Sequence, residues 1–414
     1  MFRAISRVSL APLALVLTTL ALRAIFDKLL AISPDWTLVA HWAQAQSLYD
    51  LTAAVTLAGV GQGLTVFAAR RDADQTGLMR DALIWGALTS AAAAAVLMIA
   101  TPWLNAAFGR EIAPAGAVGA LAVAGGLMST ATGLFYLLWQ GRRERGKMLA
   151  LVIVAAAPTT ICAAGLLGGV DLERLLFVQL ATQGALALAL VWPLLRRMRG
   201  SGAFTWRTSP LRRYIPAGLS IGILSPASVL WSRAELAHGL SWEEVSQLQA
   251  LWRASEWVTG LAGGLLVLVF LPRMAAATSQ REFRDELART WRMLCIPGAL
   301  ALAVLWAGQS TIMPLLYSSN FLMPAAASAL FLTGDALRLA SWVPLHGLYA
   351  TERVHAIAVG EWLSLPLFAA LLTATGGASL VLAGACYAFT YVVYLGFNVW
   401  SVLRANGRYA TAAA

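Results

Sequence analysis

Long apolar stretches, separated by short polar and basic segments, dominate the pattern of this chain. An α-helix needs about 20 apolar residues to cross a bilayer. The stretches lack the alternating pattern of a membrane strand and are two to three times too long for one. The pattern therefore predicts an all-α integral membrane protein with about 12 transmembrane helices. The apolar segments are 8–31, 38–68, 79–101, 113–139, 148–170, 172–195, 214–236, 244–271, 291–316, 324–350, 354–375 and 378–403.

Composition agrees with a membrane protein and excludes a soluble one. Of the 414 residues, 59% are apolar and 12% are charged, and the mean hydropathy is +0.70. A water-soluble domain usually carries about 25% charged residues. The connecting segments are short, so no separate globular domain fits between the helices.

The basic residues predict the orientation. Of the 30 lysines and arginines, 23 fall on one side of the predicted membrane, two on the other and five within helices. Positive residues concentrate on the cytoplasmic side. We therefore expect both termini and the loop 196–213 to be cytoplasmic, and the net charge of +10 needs no nucleic-acid partner. Because Arg23, Asp27 and Lys28 interrupt the first apolar run, we interpret it as a retained helix rather than a signal peptide.

An internal repeat divides the chain into two halves. Segments 44–70 and 247–273 align without gaps at an offset of 203, with nine identities in 27 positions. This predicts two six-helix lobes, 1–200 and 214–414, joined by a basic cytoplasmic linker at 201–213. Such halves commonly bind substrate between them near the midplane of the membrane. We therefore expect a substrate site between the lobes.

Several charged residues occupy positions where lipid disfavours them. Asp50, Arg253, Glu256, Asp335 and Arg338 each lie about 10 to 14 residues from a helix end, which is near mid-membrane at about 1.5 Å per residue. A charge there costs roughly 2.5 to 3.5 kcal/mol on insertion scales. In one interpretation, the two opposite charges on the same helix merely neutralise each other. In the other, these charges line a shared polar cleft, because the repeat aligns Asp50 with Arg253.

The residue types predict what such a cleft binds. An arginine presents a fixed fork of donors that suits a pyrophosphate. The headgroup candidates are Arg23, Arg253 and Arg338. The candidates for charge coupling or pairing are Asp50, Glu256, Asp335 and Glu361. Tryptophan rings either contact sugars or pack between helices; the candidates are Trp252, Trp257, Trp342 and Trp362.

One carboxylate suggests a coupling role. Glu361 has no basic residue three or four positions away on its own helix, so we hypothesise that it exchanges a proton during the cycle. The cysteines and histidines lack metal-ligand spacing. We therefore expect no metal, no cofactor and no catalytic residue.

Several short motifs resemble those of Wzx-type flippases, the O-antigen and enterobacterial common antigen translocases. The likeness extends over most of the chain and is densest at 239–400. The motifs are Phe26-Asp-Lys-Leu-Leu-Ala-Ile-Ser33, Leu57-Ala-Gly-Val-Gly-Gln-Gly63, Leu240-Ser-Trp-Glu-Glu-Val245, Leu271-Pro-Arg273, Leu332-Thr-Gly-Asp-Ala-Leu-Arg338 and Gly360-Glu-Trp362.

The resemblance implies the fold of the multidrug/oligosaccharidyl-lipid/polysaccharide exporter superfamily, in which twelve helices form two six-helix lobes around a V-shaped central cavity. It also implies that the protein moves undecaprenyl-pyrophosphate-linked oligosaccharide across the bacterial inner membrane for lipopolysaccharide and other surface polysaccharide assembly. Membrane lipid and a polysaccharide polymerase are then candidate partners. The charged positions that match the family are Glu256, Asp335, Arg338 and Glu361.

Two other functions stay open. One is a cation-coupled small-molecule exporter of the same superfamily. The other is a membrane glycosyltransferase or polysaccharide polymerase. We expect no enzyme, because the predicted outer segments are short and hold only scattered acids.

Overall fold

The protein is described by a computed structural model in which every regular element of the described residues is a helix. The structure describes residues 10–57, 60, 64, 75–108, 116–142, 144–165, 169, 171–198, 211, 215–275, 277–351 and 353–404. In chain order the α-helices are α1 Leu10–Ala31, α2 Leu38–Leu57, α3 Gln75–Phe108, α4 Gly116–Gly141, α5 Arg145–Gly165, α6 Leu172–Met198, α7 Ile215–Gly239, α8 Trp242–Leu265, α9 Leu271–Ala275, α10 Gln280–Ala307, α11 Gln309–Leu316, α12 Ala325–Ala350, α13 Val354–Trp362, α14 Leu365–Thr375 and α15 Leu380–Leu403.

These helices confirm the predicted all-α membrane architecture. They follow the apolar segments in order, because a helix satisfies its own backbone in lipid. Within the described residues, six spans are long and apolar enough to cross a membrane by length and composition. They are Gly116–Gly141, Arg145–Gly165, Leu172–Arg196, Gln280–Ala307, His355–Thr375 and Leu380–Leu403.

The structure corrects two predicted helices, one in its start and both in their continuity. The segment predicted at 291–316 begins earlier, at Gln280, where the Ser279 hydroxyl accepts a hydrogen bond from the backbone N–H of Glu282. It is also interrupted at Gly308. The segment predicted at 354–375 is broken at residues 363 and 364. Pro366 explains this break, because proline has no N–H to continue the helical bonding.

Helix α8 begins and ends with distinct local structures. At its start, Ser241 and Glu244 form a capping box, in which each side chain bonds the other residue's backbone N–H. At its end, a π-helical turn at Leu266–Phe270 joins α8 to α9. Pro272 lies directly after this turn, in the Leu271-Pro-Arg273 motif.

The chain divides into two compact units, Met1–Ala234 and Glu235–Ala414. The predicted lobe boundary at 201–213 lies, except for Leu211, outside the described residues and stays a prediction. In the first unit, a buried cluster includes Leu64, Met79 and Leu134.

In the second unit, α12 and α15 approach each other closely. A Cβ at Gly334 on α12 would lie 2.3 Å from Cδ1 of Tyr387 on α15, and a Cβ at Gly384 would lie 2.9 Å from Cβ of Leu330. Only glycine leaves room for such contacts, as is common between membrane helices. The close approach brings the buried face of α15 against the charged face of α12.

Candidate functional site

Asp335 is the centre of a buried polar group in the second unit. The residue is 1% exposed, although it carries a carboxyl group in an apolar helix. Its Oδ2 accepts a hydrogen bond of 2.6 Å from the Ser255 hydroxyl on α8. Its Oδ1 accepts one of 2.8 Å from the Tyr387 hydroxyl on α15. Three helices therefore hold this carboxyl group in place.

Arg338 lies one turn after Asp335 on the same helix. Its Nη1 is 4.0 Å from Oδ1 of Asp335, which makes an ion pair but exceeds hydrogen-bond distance. Its guanidinium lies 5.0 Å from the ring centre of Trp342 and 6.0 Å from that of Tyr391. In such cation–π contacts the electron-rich faces of the rings attract the positive charge. The predicted pair of Asp335 and Arg338 thus exists and is flanked by aromatic rings.

Two further carboxylates act on Arg338 electrostatically. Glu256 on α8 attracts the guanidinium, and Glu361 on α13 does so as well. Glu361 is half-buried, and its Oε1 accepts a hydrogen bond of 3.4 Å from the Tyr394 hydroxyl. The structure therefore brings three of the predicted carboxylates close to one predicted arginine, Arg338.

An aromatic cluster borders Asp335. The Trp252 ring lies 5.6 Å from the Phe331 ring and 5.7 Å from the Tyr387 ring, measured between centroids. Phe368 packs edge-on against Tyr387 at 5.1 Å. The Trp252 Nε1 atom is buried and donates no hydrogen bond to any residue that the structure describes. A buried donor without an acceptor is uncommon in native structures and calls for an explanation.

The remaining predicted tryptophans differ in their surroundings. The Trp342 ring lies 5.0 Å from the Arg338 guanidinium. It also packs against Gly263, where a Cβ would lie 3.2 Å from the ring. Trp257 is half-buried, whereas Trp362 is 64% exposed. Among the described residues, no ring contact joins either Trp257 or Trp362 to another aromatic side chain. A sugar contact at these two positions stays a prediction.

The other predicted charges are distributed over both units. Arg253 on α8 is buried, with 6% exposure. Arg23 on α1 is exposed, and so is Asp50 on α2, which accepts a hydrogen bond of 2.9 Å from Gln46. The two positions aligned by the repeat, Asp50 and Arg253, thus differ in burial.

The sequence analysis missed a polar stripe on α15. Tyr387, Tyr391, Tyr394 and Asn398 follow one another at intervals of four, three and four residues, so they lie on one helix face. All four are buried. A helix that faces only lipid needs no polar residues. Four polar residues on one face of this helix therefore indicated, from the sequence, a face that packs inside the protein. Ser255, in contrast, gives no such signal, since its role depends on a contact with another helix.

Comparison with known proteins shows which fold this is. No protein-family model and no curated protein matches the sequence. Solved structures do match. An inward-facing multidrug resistance MATE family transporter of the MOP superfamily matches with a TM-score of 0.73 and 10% identity, covering 96% of this chain and 99% of that one. The lipid II flippase MurJ, in an inward closed conformation, matches with a TM-score of 0.72 and 11% identity, covering 95% and 88%.

A further MATE structure, in complex with MaD3S, matches with a TM-score of 0.65 and 11% identity over 99% of this chain and 96% of that one. At such low identity the similarity establishes architecture only. The chain has the fold that MATE-family transporters share with the flippase MurJ.

Proposed function

We propose that this protein is a flippase that moves an undecaprenyl-pyrophosphate-linked oligosaccharide from the inner to the outer leaflet of the bacterial inner membrane. The fold supports transport, and the similarity to MurJ, a lipid II flippase, supports a lipid-linked substrate. The motif resemblance to Wzx-type translocases supports a surface polysaccharide as the cargo. Both termini are then cytoplasmic, as the basic residues predict.

The observation that carries the proposal is that the Arg338 guanidinium has aromatic neighbours and an ion pair but donates no hydrogen bond among the described residues. Aromatic rings flank its guanidinium, and its ion pair with Asp335 is too long to be a hydrogen bond. Among the described residues, its side chain donates no hydrogen bond. Two parallel N–H groups are therefore available to a phosphate, which arginine binds bidentately. Arg253 and Arg23 are further headgroup candidates on this proposal.

The aromatic side chains support a sugar-binding role. Trp252 has a buried Nε1 donor that finds no acceptor within the described part of the chain, and a sugar hydroxyl is an acceptor of the right kind. Flat rings such as those of Trp252 and Trp342 also suit the C–H faces of a sugar. In this arrangement the headgroup binds at the arginines and the sugars bind beside them, while the isoprenoid tail stays in lipid.

A cation-coupled small-molecule exporter is the second candidate function. The embedded charges singled out in the second unit include three carboxylates, at Glu256, Asp335 and Glu361, but two arginines. The excess of one negative charge favours a cationic ligand or coupling ion. The similarity to multidrug MATE transporters supports the same alternative.

A deletion strain distinguishes the two candidates. Loss of a flippase should leave lipid-linked oligosaccharide on the cytoplasmic side, where an impermeant sugar-oxidising reagent reaches it in inverted vesicles but not in spheroplasts. The wild-type chain should restore surface glycan, and so should Arg281→Ala, which removes an exposed arginine. Arg338→Ala should not. If lipid-linked oligosaccharide does not accumulate and the strain instead becomes sensitive to cationic drugs, the exporter function is correct.

A further inference from the structure

Two helices of this protein end in the same arrangement, a tryptophan followed by an arginine one turn later. On α6, the guanidinium carbon of Arg196 lies 4.9 Å from the ring centre of Trp192. On α15, that of Arg404 lies 4.3 Å from the ring centre of Trp400. Both distances are short enough for a cation–π interaction. Each arginine lies within two residues of the end of its helix.

The two Trp–Arg pairs occupy equivalent places in the chain. α6 lies in the first unit and α15 in the second, and they correspond to the sixth and twelfth predicted segments, the last of each predicted lobe. Trp192 lies 20 residues after Leu172, where α6 begins, and Trp400 lies 20 residues after Leu380, where α15 begins. The same arrangement at the same distance along two helices indicates a shared role.

This distance places both pairs at the edge of the bilayer. A helix of 20 residues is about 30 Å long, which is the thickness of the hydrocarbon core. The tryptophan rings therefore lie where the hydrocarbon ends, and the arginines lie about 6 Å further along the helix, at the level of the phospholipid headgroups. On the predicted topology this is the cytoplasmic leaflet, which carries the anionic lipids.

Both pairs face lipid rather than the interior of the protein. Trp192 is 54% exposed and Trp400 is 50% exposed, and both arginines are exposed as well. The two helices also expose apolar side chains along the rest of their length, as expected of surfaces that contact lipid. These are Phe177 and Leu188 on α6, and Phe389, Val392 and Val399 on α15.

The positive charge of the two pairs is not neutralised by a nearby carboxylate. Neither Arg196 nor Arg404 forms an ion pair with any residue that the structure describes. The sequence has no aspartate or glutamate between residues 174 and 234, and none after Glu361. The partial negative charge at a helix C-terminus attracts an arginine but does not balance a full charge. An anion from outside the chain is therefore favoured at both places.

We propose that the Trp192–Arg196 and Trp400–Arg404 pairs are two equivalent binding sites for the headgroup of an anionic phospholipid. Arginine stacks on aromatic rings, and its fork of N–H groups fits a phosphate. A zwitterionic headgroup carries its own cation, which competes with arginine for the phosphate, so a headgroup with a net negative charge binds more tightly. The acyl chains lie along the exposed apolar faces of α6 and α15. This binding does not depend on which substrate the protein transports.

Native mass spectrometry of the purified full-length protein measures such binding by counting the phospholipids that stay attached. The protein in detergent is titrated with phosphatidylglycerol or with phosphatidylcholine of the same acyl chains. We expect wild type to bind phosphatidylglycerol more tightly. Arg196→Gln combined with Arg404→Gln should weaken the binding of two phosphatidylglycerol molecules by about fivefold each, the contribution of one arginine at an anionic surface. Binding of phosphatidylcholine should not change.

A second double variant is the charge-matched control. Arg281→Gln combined with Arg289→Gln removes the same charge from exposed positions on α10, where neither arginine stacks on a ring among the described residues. This variant should bind phosphatidylglycerol like wild type.

Two further double variants separate the parts of each pair. Lysine at positions 196 and 404 keeps the charge without the fork, so the affinity should lie between those of wild type and the glutamine variant. Leucine at positions 192 and 400 keeps the charge without the ring. It should also weaken binding, because the ring no longer holds the guanidinium in place.

Three results would overturn the proposal. The first is equal affinity of wild type for the two phospholipids. The second is an unchanged affinity for phosphatidylglycerol in the variant with glutamine at 196 and 404. The third is an equal loss of affinity in the control variant on α10. If the glutamine variant only unfolds at a lower temperature, by the same amount in either phospholipid, the two arginines merely stabilise their helix ends and bind no lipid.

Discussion

Tyr387→Phe tests whether Asp335 is held as an anion. The substitution removes the hydroxyl that donates to Oδ1 of Asp335 at 2.8 Å and leaves the Ser255 bond to Oδ2 at 2.6 Å. The ring stays, so its packing against Trp252 and Phe368 is kept. The change in stability therefore reports mainly on one hydrogen bond.

The expected loss of stability in Tyr387→Phe depends on whether the Asp335 carboxyl group is charged. A hydrogen bond to a charged group contributes about 1.5 to 3 kcal/mol, whereas interhelical hydrogen bonds in membrane proteins average about 0.6 kcal/mol. Because both hydroxyls donate to Asp335 and Arg338 lies 4.0 Å away, we expect the ionised form. Tyr387→Phe should then lower the free energy of unfolding by about 1.5 to 3 kcal/mol.

Denaturant unfolding of purified protein in mixed micelles measures this change. Tyr136→Phe, at a half-buried tyrosine of the first unit, is the matched control and should cost less than about 0.6 kcal/mol. A double-mutant cycle with Ser255→Ala should give a coupling energy of about 0.5 kcal/mol or more, since both hydroxyls bind one carboxylate. A loss no larger than that of Tyr136→Phe, with no coupling, would refute an anionic Asp335.

Three further predictions concern orientation, the arginine and helix packing. Cysteines introduced at 205 and 320 should label oppositely with an impermeant thiol reagent, only the second reacting in intact spheroplasts; labelling at 205 would reverse the predicted topology. Arg338→Ala should abolish surface glycan export and Arg338→Lys should retain part of it, because lysine lacks the bidentate fork; full rescue of Arg338→Ala by Asp335→Ala would instead show a purely structural pair. Gly334→Ala should destabilise the protein by about 1 to 3 kcal/mol in the same unfolding assay, because its Cβ would overlap a tyrosine ring at 2.3 Å; unchanged stability would contradict the close packing of α12 and α15.

The helices could be predicted because lipid imposes one rule on every segment. A backbone in the bilayer must satisfy its own hydrogen bonds, so the described parts of the apolar runs are mostly helical and follow the predicted order. The pairing of Asp335 with Arg338 was also predictable, since residues three apart share a helix face. Both inferences depend on local sequence alone.

The rest of the site depends on contacts between helices. Nothing in the spacing around Ser255 shows that it bonds Asp335 on another helix, and periodicity cannot identify such a partner. The break at 363 and 364 was missed for another reason: hydropathy remains high across it, and Pro366 bends some helices but interrupts others. The stripe from Tyr387 to Asn398 could have been found by its spacing.

The most direct test of the proposed function is a flipping assay with purified protein in liposomes. Undecaprenyl-pyrophosphate-linked oligosaccharide is placed in both leaflets, and an impermeant sugar-oxidising reagent is added outside. With wild-type protein, we expect oxidation to proceed from about half of the substrate towards completion as inner-leaflet molecules reach the outer leaflet. With Arg338→Ala it should stop at about half, as in protein-free liposomes. Oxidation that stops at half with folded wild-type protein, in liposomes that do transport a cationic dye, would contradict the flippase and support the exporter.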